Sequence, residues 1–351
     1  MKSILTIICS LTLFYASAQL NTGQQIFRFL NHSTSARMTA MGGTLIASHA
    51  TDPSLAWANP AVLHKEMSGQ MSFNYDKIFA GIGSSHFAYA QQVDKLNMTF
   101  HGGLQVLNYG SFEATDEYGK TQGTFRGQDL ALAIGAARPL SAHWSLGLNL
   151  KYIHSTLETY TASGISTDVG AMYANAEKRF SFAIVAKNAG IQLGTYAGEA
   201  RGKLPFELQF GIMKRLKHLP LQYSVTYRNA ETWNLTYRDP STIVTTDFLG
   251  QPIKETPKFV RGLDNFARHL VIGGEFLLGK KENFSLRLGY AHLLKKELSV
   301  SPYRSLTGFS YGFGMKIKRF RIDFARSTTH LVGGMTHFSF ATNLSEFRKN
   351  K

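Results

Sequence analysis

The sequence predicts an all-β chain: a fourteen-stranded antiparallel transmembrane β-barrel with an N-terminal hatch segment. Three observations carry that expectation. Hydropathy alternates with period 2 from about residue 69 to 344, the alternating segments number fourteen, and the connections between them tend to be short at one end and long at the other. An even strand count is what a closed bacterial barrel needs.

The first residues read as an export signal. Lys2 gives a positive start, Ile4 to Tyr15 is mostly apolar, and Ala16-Ser17-Ala18 is a small-x-small cleavage site. Residues 1–18 are therefore expected to be removed, leaving Gln19 first. The single cysteine, Cys9, lies inside that signal, so no disulfide or cysteine metal site is expected. Without Lys2, 37 basic residues face 23 acidic ones, a formal charge of +14. In an exported chain that excess does not point to nucleic acid. No later run is long and apolar enough for a membrane helix. The 32 glycines, 25 phenylalanines and 15 tyrosines suit strands and turns.

The strands are expected at about 69–79, 84–93, 96–115, 125–140, 143–161, 166–179, 181–193, 204–216, 221–233, 269–278, 284–298, 308–319, 320–329 and 334–344. In the fifth, Trp144, Leu146, Leu148, Leu150 and Tyr152 share one face. Ser145, Gly147, Asn149, Lys151 and Ile153 share the other. A soluble sandwich would turn the apolar face inward; a membrane barrel turns it to lipid. The small and charged opposite face and the aromatic strand ends favour the barrel. With the first strand leaving the periplasm, short turns fall inside. The longer loops, 113–124, 194–203, 234–268 and 299–307, fall outside. The basic residues of the turns suit anionic headgroups or an acidic periplasmic partner, and 345–351 forms a periplasmic tail.

Residues 19–68 lack long alternation and are rich in small and polar residues. They suit a plug for a barrel wide enough to leave a channel. Within them, Phe29-Leu30, Ser35-Ala36-Arg37, Ala40-Met41-Gly42-Gly43, Asp52 and Asn59-Pro60-Ala61 resemble the opening of the PorV/PorQ family. These are outer-membrane proteins of the type IX secretion system in Bacteroidetes, similar in fold to FadL fatty-acid channels. Lys187-Asn188-Ala189-Gly190, Leu204-Pro205-Phe206-Glu207, Lys217-His218-Leu219-Pro220 and Glu231-Thr232-Trp233-Asn234-Leu235 look like the PorQ branch. The resemblance covers most of the mature chain. The family often carries paired acids before Asn-Pro-Ala, where this chain has Asp52 alone before Pro53. The resemblance implies a hatched fourteen-stranded barrel in the outer membrane. It also implies a role anchoring PorZ beside PorU and PorV, where cargo is released and joined to lipopolysaccharide.

Two site expectations follow. The hatch motif is Ser35, Ala36, Arg37, Gly42, Gly43, Asp52, Asn59 and Pro60. Glu207, Arg287, Lys316 and Asp323 are lumen charges placed to meet it. Arg37 is expected to be a structural latch on Glu207 or Asp323, since an enclosed guanidinium needs a carboxylate. The long loop 234–268, with Arg238, Asp239, Pro240, Lys254, Lys258 and Arg261, is the expected partner contact. No enzyme, cofactor or metal site is expected. Gly308-Phe309-Ser310-Tyr311-Gly312 matches a nucleophile elbow, but alternation runs straight through Ser310 where that motif needs a sharp turn. The alternative roles are a FadL-like channel for hydrophobic molecules and a PorV-like shuttle binding C-terminal signal domains of cargo.

Overall fold

The computed structural model describes residues 25–236, 257–299, 305–329 and 333–348. The expected signal peptide, the loop residues Arg238, Asp239, Pro240 and Lys254, and the last three residues lie outside them. Fourteen strands form the wall: β1 (Gln70–Lys77), β2 (Gly83–Val93), β3 (Met98–Thr115), β4 (Thr121–Pro139), β5 (Trp144–Leu157), β6 (Tyr160–Asn175) and β7 (Phe180–Gly194) make one half. The other half is β8 (Glu207–Arg215), β9 (Leu221–Tyr227), β10 (Leu270–Leu278), β11 (Phe284–Ala291), β12 (Phe309–Ile317), β13 (Phe320–Thr328) and β14 (Gly334–Asn343). Each pairs antiparallel with its sequence neighbours. β14 pairs with β1, Gln70 opposite Asn343, and closes the barrel. Closure leaves no strand edge unpaired.

The alternation sets which side each residue takes. Trp144, Leu146, Leu148, Leu150 and Tyr152 are exposed on the outside. Gly147, Asn149, Lys151 and Ile153 are buried within. The same holds for Phe284, Leu286 and Leu288 against Ser285 and Arg287. The wall is thus greasy outside and polar inside, the inverse of a soluble sandwich.

Several boundaries differ from expectation, each for a local reason. The strand expected over 284–298 stops at Ala291, and His292–Leu298 is a helix. There the sequence doubles its leucines and lysines, which breaks period 2, and Leu, Lys and Glu favour helix. The strand expected to reach 233 ends at Tyr227. The loop expected at 113–124 shrinks to 116–120, because β3 and β4 continue as one long hairpin. β6 begins at Tyr160, so β5 and β6 meet in a two-residue turn. The long connections are therefore 195–206, 228–269 and 292–308, all at one end.

Residues 26–67 run through the space the strands enclose, and almost all of them are buried or nearly so. They form short elements with local caps. Ser35 Oγ accepts the Met38 amide and opens helix α1 (Ala36–Ala40). Gly42 and Gly43, at φ +97° and +95°, end it in the left-handed region that glycine takes without strain. Asp52 and Asn59 each precede a proline and accept the amide two residues on, from Ser54 at 3.1 Å and Ala61 at 3.0 Å. Each opens a 3-10 turn whose first position suits proline.

Candidate functional site

The wall meets this N-terminal segment through its smallest residues. A Cβ added to Gly289 would lie 2.2 Å from the Gly42 nitrogen, and one on Gly147 would lie 2.3 Å from the Pro60 carbonyl carbon. These interior glycines let two backbones touch. Interior serines supply the bonds. Ser339 accepts the Ala36 amide at 2.7 Å. Ser310 accepts from Gly42 N and donates to Ala40 O, both at 3.1 Å. Ser181 donates to Ala47 O and Ser145 to Ala61 O, at 2.6 and 2.7 Å. Ser310, the second residue of β12, is thus a buried anchor for the segment.

Charge ties the segment to the wall on one side. Arg37 donates to Glu275 on β10 at 2.5 Å. Glu275 also accepts from Arg287 on β11 at 2.7 Å, and Arg287 donates to Asp323 on β13 at 2.6 Å. Arg321 lies 3.1 Å from Asp323 and 3.1 Å from Asp52, back in the segment. The row alternates in sign and begins and ends on the segment. Of the charges expected to meet it, Arg287 and Asp323 belong to the row without touching Arg37. Glu207 does not: it takes a two-pronged bond from Arg228 at 2.7 and 3.0 Å. Lys316 stands exposed at the mouth of a cavity. Sequence reasoning missed Glu275, although it shares the inward face of Gly273 by simple alternation.

The opposite side uses the wall's own charges. Lys151 on β5 and Asp168 on β6 lie 2.7 Å apart and are fully buried. Lys151 also donates to Asn188 at 3.2 Å and sits 4.8 Å over the Trp57 ring. Asn188 occupies a bulge in β7 with φ +55°, which asparagine tolerates. Its amide reaches Asp168 Oδ1 at 2.8 Å, and its side chain reaches Asn31 Oδ1 at 2.8 Å. Asn149 donates to Ala56 O at 2.8 Å. Here the segment offers only neutral groups.

A cavity of about 880 Å³ opens among the turns 176–179 and 279–283 and ends on the Arg37 row. Its walls carry Arg37, Glu275, Arg287, Arg321 and Asp323, and among the described residues none of its lining comes from the three long connections. At that far end, part of the loop expected over 234–268 is instead helix α2 (Lys258–Arg268), which places Lys258 and Arg261 on a helix. It packs near α3 (His292–Leu298): Asp264 lies 2.9 Å from Lys296, 3.2 Å from His292 and 3.0 Å from Arg268. Burial pushes the Asp264 carboxyl up, but those three donors outweigh it and hold it well below the usual carboxylate range. Among the described residues no three His, Asp or Glu side chains gather as a metal site.

The closed wall of fourteen strands, with residues 26–67 among its interior residues, allows comparison with solved barrels. The fold is similar to that of solved hydrocarbon-channel barrels. The toluene transporter TodX of Pseudomonas putida is 14% identical with a TM-score of 0.52, over 88% of this chain and 96% of its own. The monoaromatic hydrocarbon channel CymD is 14% identical with a TM-score of 0.54, over 89% and 98%. A Pseudomonas aeruginosa FadL homologue is 12% identical with a TM-score of 0.47, over 89% and 98%. No protein-family model and no curated protein matches the sequence. Identities this low speak for the fold alone.

Proposed function

We propose that this protein is a non-enzymatic, sealed barrel of the outer membrane that fixes its long connections at the cell surface for a partner. The observation that carries this reading is the filled lumen. The segment 26–67 touches wall residues on every side, and the cavity that remains ends on a charged row. An apolar solute would have to displace that row and leave buried charges unpaired. The resemblance to the PorQ branch supplies the identity of the partner: PorZ at the surface, beside PorU and PorV, in type IX secretion of cargo joined to lipopolysaccharide. The contact is the connection 228–269, the longest in the barrel.

The test is affinity purification of the tagged protein from gently solubilised outer membranes, quantified against an unrelated barrel. Enrichment of PorZ is expected. A folded barrel at the membrane with no PorZ enrichment would rule the anchor reading out.

A second reading is passage of hydrophobic molecules, favoured by the fold shared with TodX and CymD. Uptake of labelled fatty acid or toluene into proteoliposomes separates the two, since a sealed anchor gives none. A shuttle for C-terminal signal domains would instead show direct binding of such a domain.

A further inference from the structure

Helix α2 is amphipathic the wrong way round for a soluble protein. Its apolar residues Phe259, Leu263 and Phe266 follow i, i+4, i+7 spacing and so share one face. They are 81%, 58% and 43% exposed. Its polar residues Asp264 and Asn265 face the protein. Asn265 is buried, donating to Trp233 O and accepting from Leu235 N. Asp264 holds His292 and Lys296 of α3. A helix on the water side of a fold does the reverse, turning its apolar stripe to the core.

The apolar face also continues a surface already described. Phe266 lies 5.8 Å from the Tyr227 ring, and Tyr227 is on the outward side of β9, in step with Tyr223 and Val225. The helix ends at Arg268 and β10 starts at Leu270, so the helix sits directly on the rim. Tyr290 and Phe309, 4.7 Å apart, mark the same rim on β11 and β12. Aromatic residues at this level form the girdle of a membrane barrel.

We infer that α2 is a membrane-surface helix, its Phe259–Leu263–Phe266 face lying in the acyl chains just below the headgroups of the outer leaflet. It rests on the outer-membrane reading above but not on the choice of partner. The lipid is the occupant because the face is continuous with the wall's apolar exterior, while the polar face is already engaged by the chain itself. Lys258 and Arg268 then stand where anionic headgroup phosphates lie. The helix would hold this end of the connection flat against the membrane.

The full chain, with Cys9→Ser, would carry a nitroxide at Leu263→Cys or Phe259→Cys in proteoliposomes. Collision with oxygen and with a water-soluble nickel chelate would be compared. Leu148→Cys, on the outer wall, is the lipid standard, and Tyr118→Cys, at an exposed hairpin tip, is the water standard. Labels at 263 and 259 are expected to give an oxygen-to-nickel ratio close to that at 148 and severalfold above that at 118. A ratio like that at 118 would overturn the inference, since the face would be in water. So would shielding from both reagents, since the face would be covered by protein. If the 148 label itself reports water, the membrane reading fails and takes this inference with it.

Discussion

The two sides of the lumen hold the same segment by different means. On the β10–β13 side the segment supplies both ends of a charged row, Arg37 and Asp52. On the β5–β7 side the charges, Lys151 and Asp168, both belong to the wall, and the segment adds Trp57, Asn31 and backbone carbonyls. The difference teaches which bonds tie the segment to the wall and which hold the wall itself. A charge removed from the first side weakens the link between segment and wall. A charge removed from the second strands its partner within the wall itself.

The largest effect is expected there. Asp168→Ala leaves Lys151 fully buried with only Asn188 and the Trp57 ring, a loss of about 3–5 kcal/mol for a broken buried pair. Heat-modifiable electrophoretic mobility should show the whole barrel converting at lower temperature. Next come matched wedges, Gly289→Ala and Gly147→Ala, one per side. Each Cβ would strike segment backbone near 2.2–2.3 Å, and overpacking costs about 1–3 kcal/mol. Both should speed deuterium uptake at the segment's amides, Gly289→Ala around Gly42 and Gly147→Ala around Ala61. If only one side responds, the segment is not held on both.

Arg37→Ala is milder, because Glu275 keeps Arg287 at 2.7 Å and Gln222 at 3.4 Å. About 2 kcal/mol is expected, the scale of a hydrogen bond to a charged group. The barrel should keep its mobility while a protease gains access to residues near 37. A variant that melts and resists protease like the wild type would refute the latch. The smallest effect is acid at the α2–α3 contact. Asp264 is held below its ordinary value, so its contribution is present above the unfolded pKa, about 4, and is lost as pH falls further. Exchange at 258–268, corrected for intrinsic rate, should be flat from neutral pH to about 5 and rise below about 4.

The wall was legible in the sequence because a barrel writes its two environments on alternate residues. Trp144 to Tyr152 needed no partner to be read. Pairings were not legible, because they depend on register and on how the segment is rotated within the wall. Arg37 clearly required a carboxylate, yet Glu275, Glu207 and Asp323 all faced inward. Only the position of α1 selects Glu275. Lys151 and Asp168 are diagonal neighbours, since Asn149 pairs with Asp168 and Lys151 with Ser166. Helix α2 was hidden by being read as part of one long loop, although Phe259, Leu263 and Phe266 carry helical spacing.

The central claim is that residues 26–67 seal the barrel, and ion conductance across a planar bilayer tests it most directly. Purified wild-type protein should insert without opening a steady conducting path, and Arg37→Ala with Arg321→Ala should introduce one. A steady, reproducible conductance from the wild type would contradict the account, because the proposed seal would then leave a continuous water-filled route.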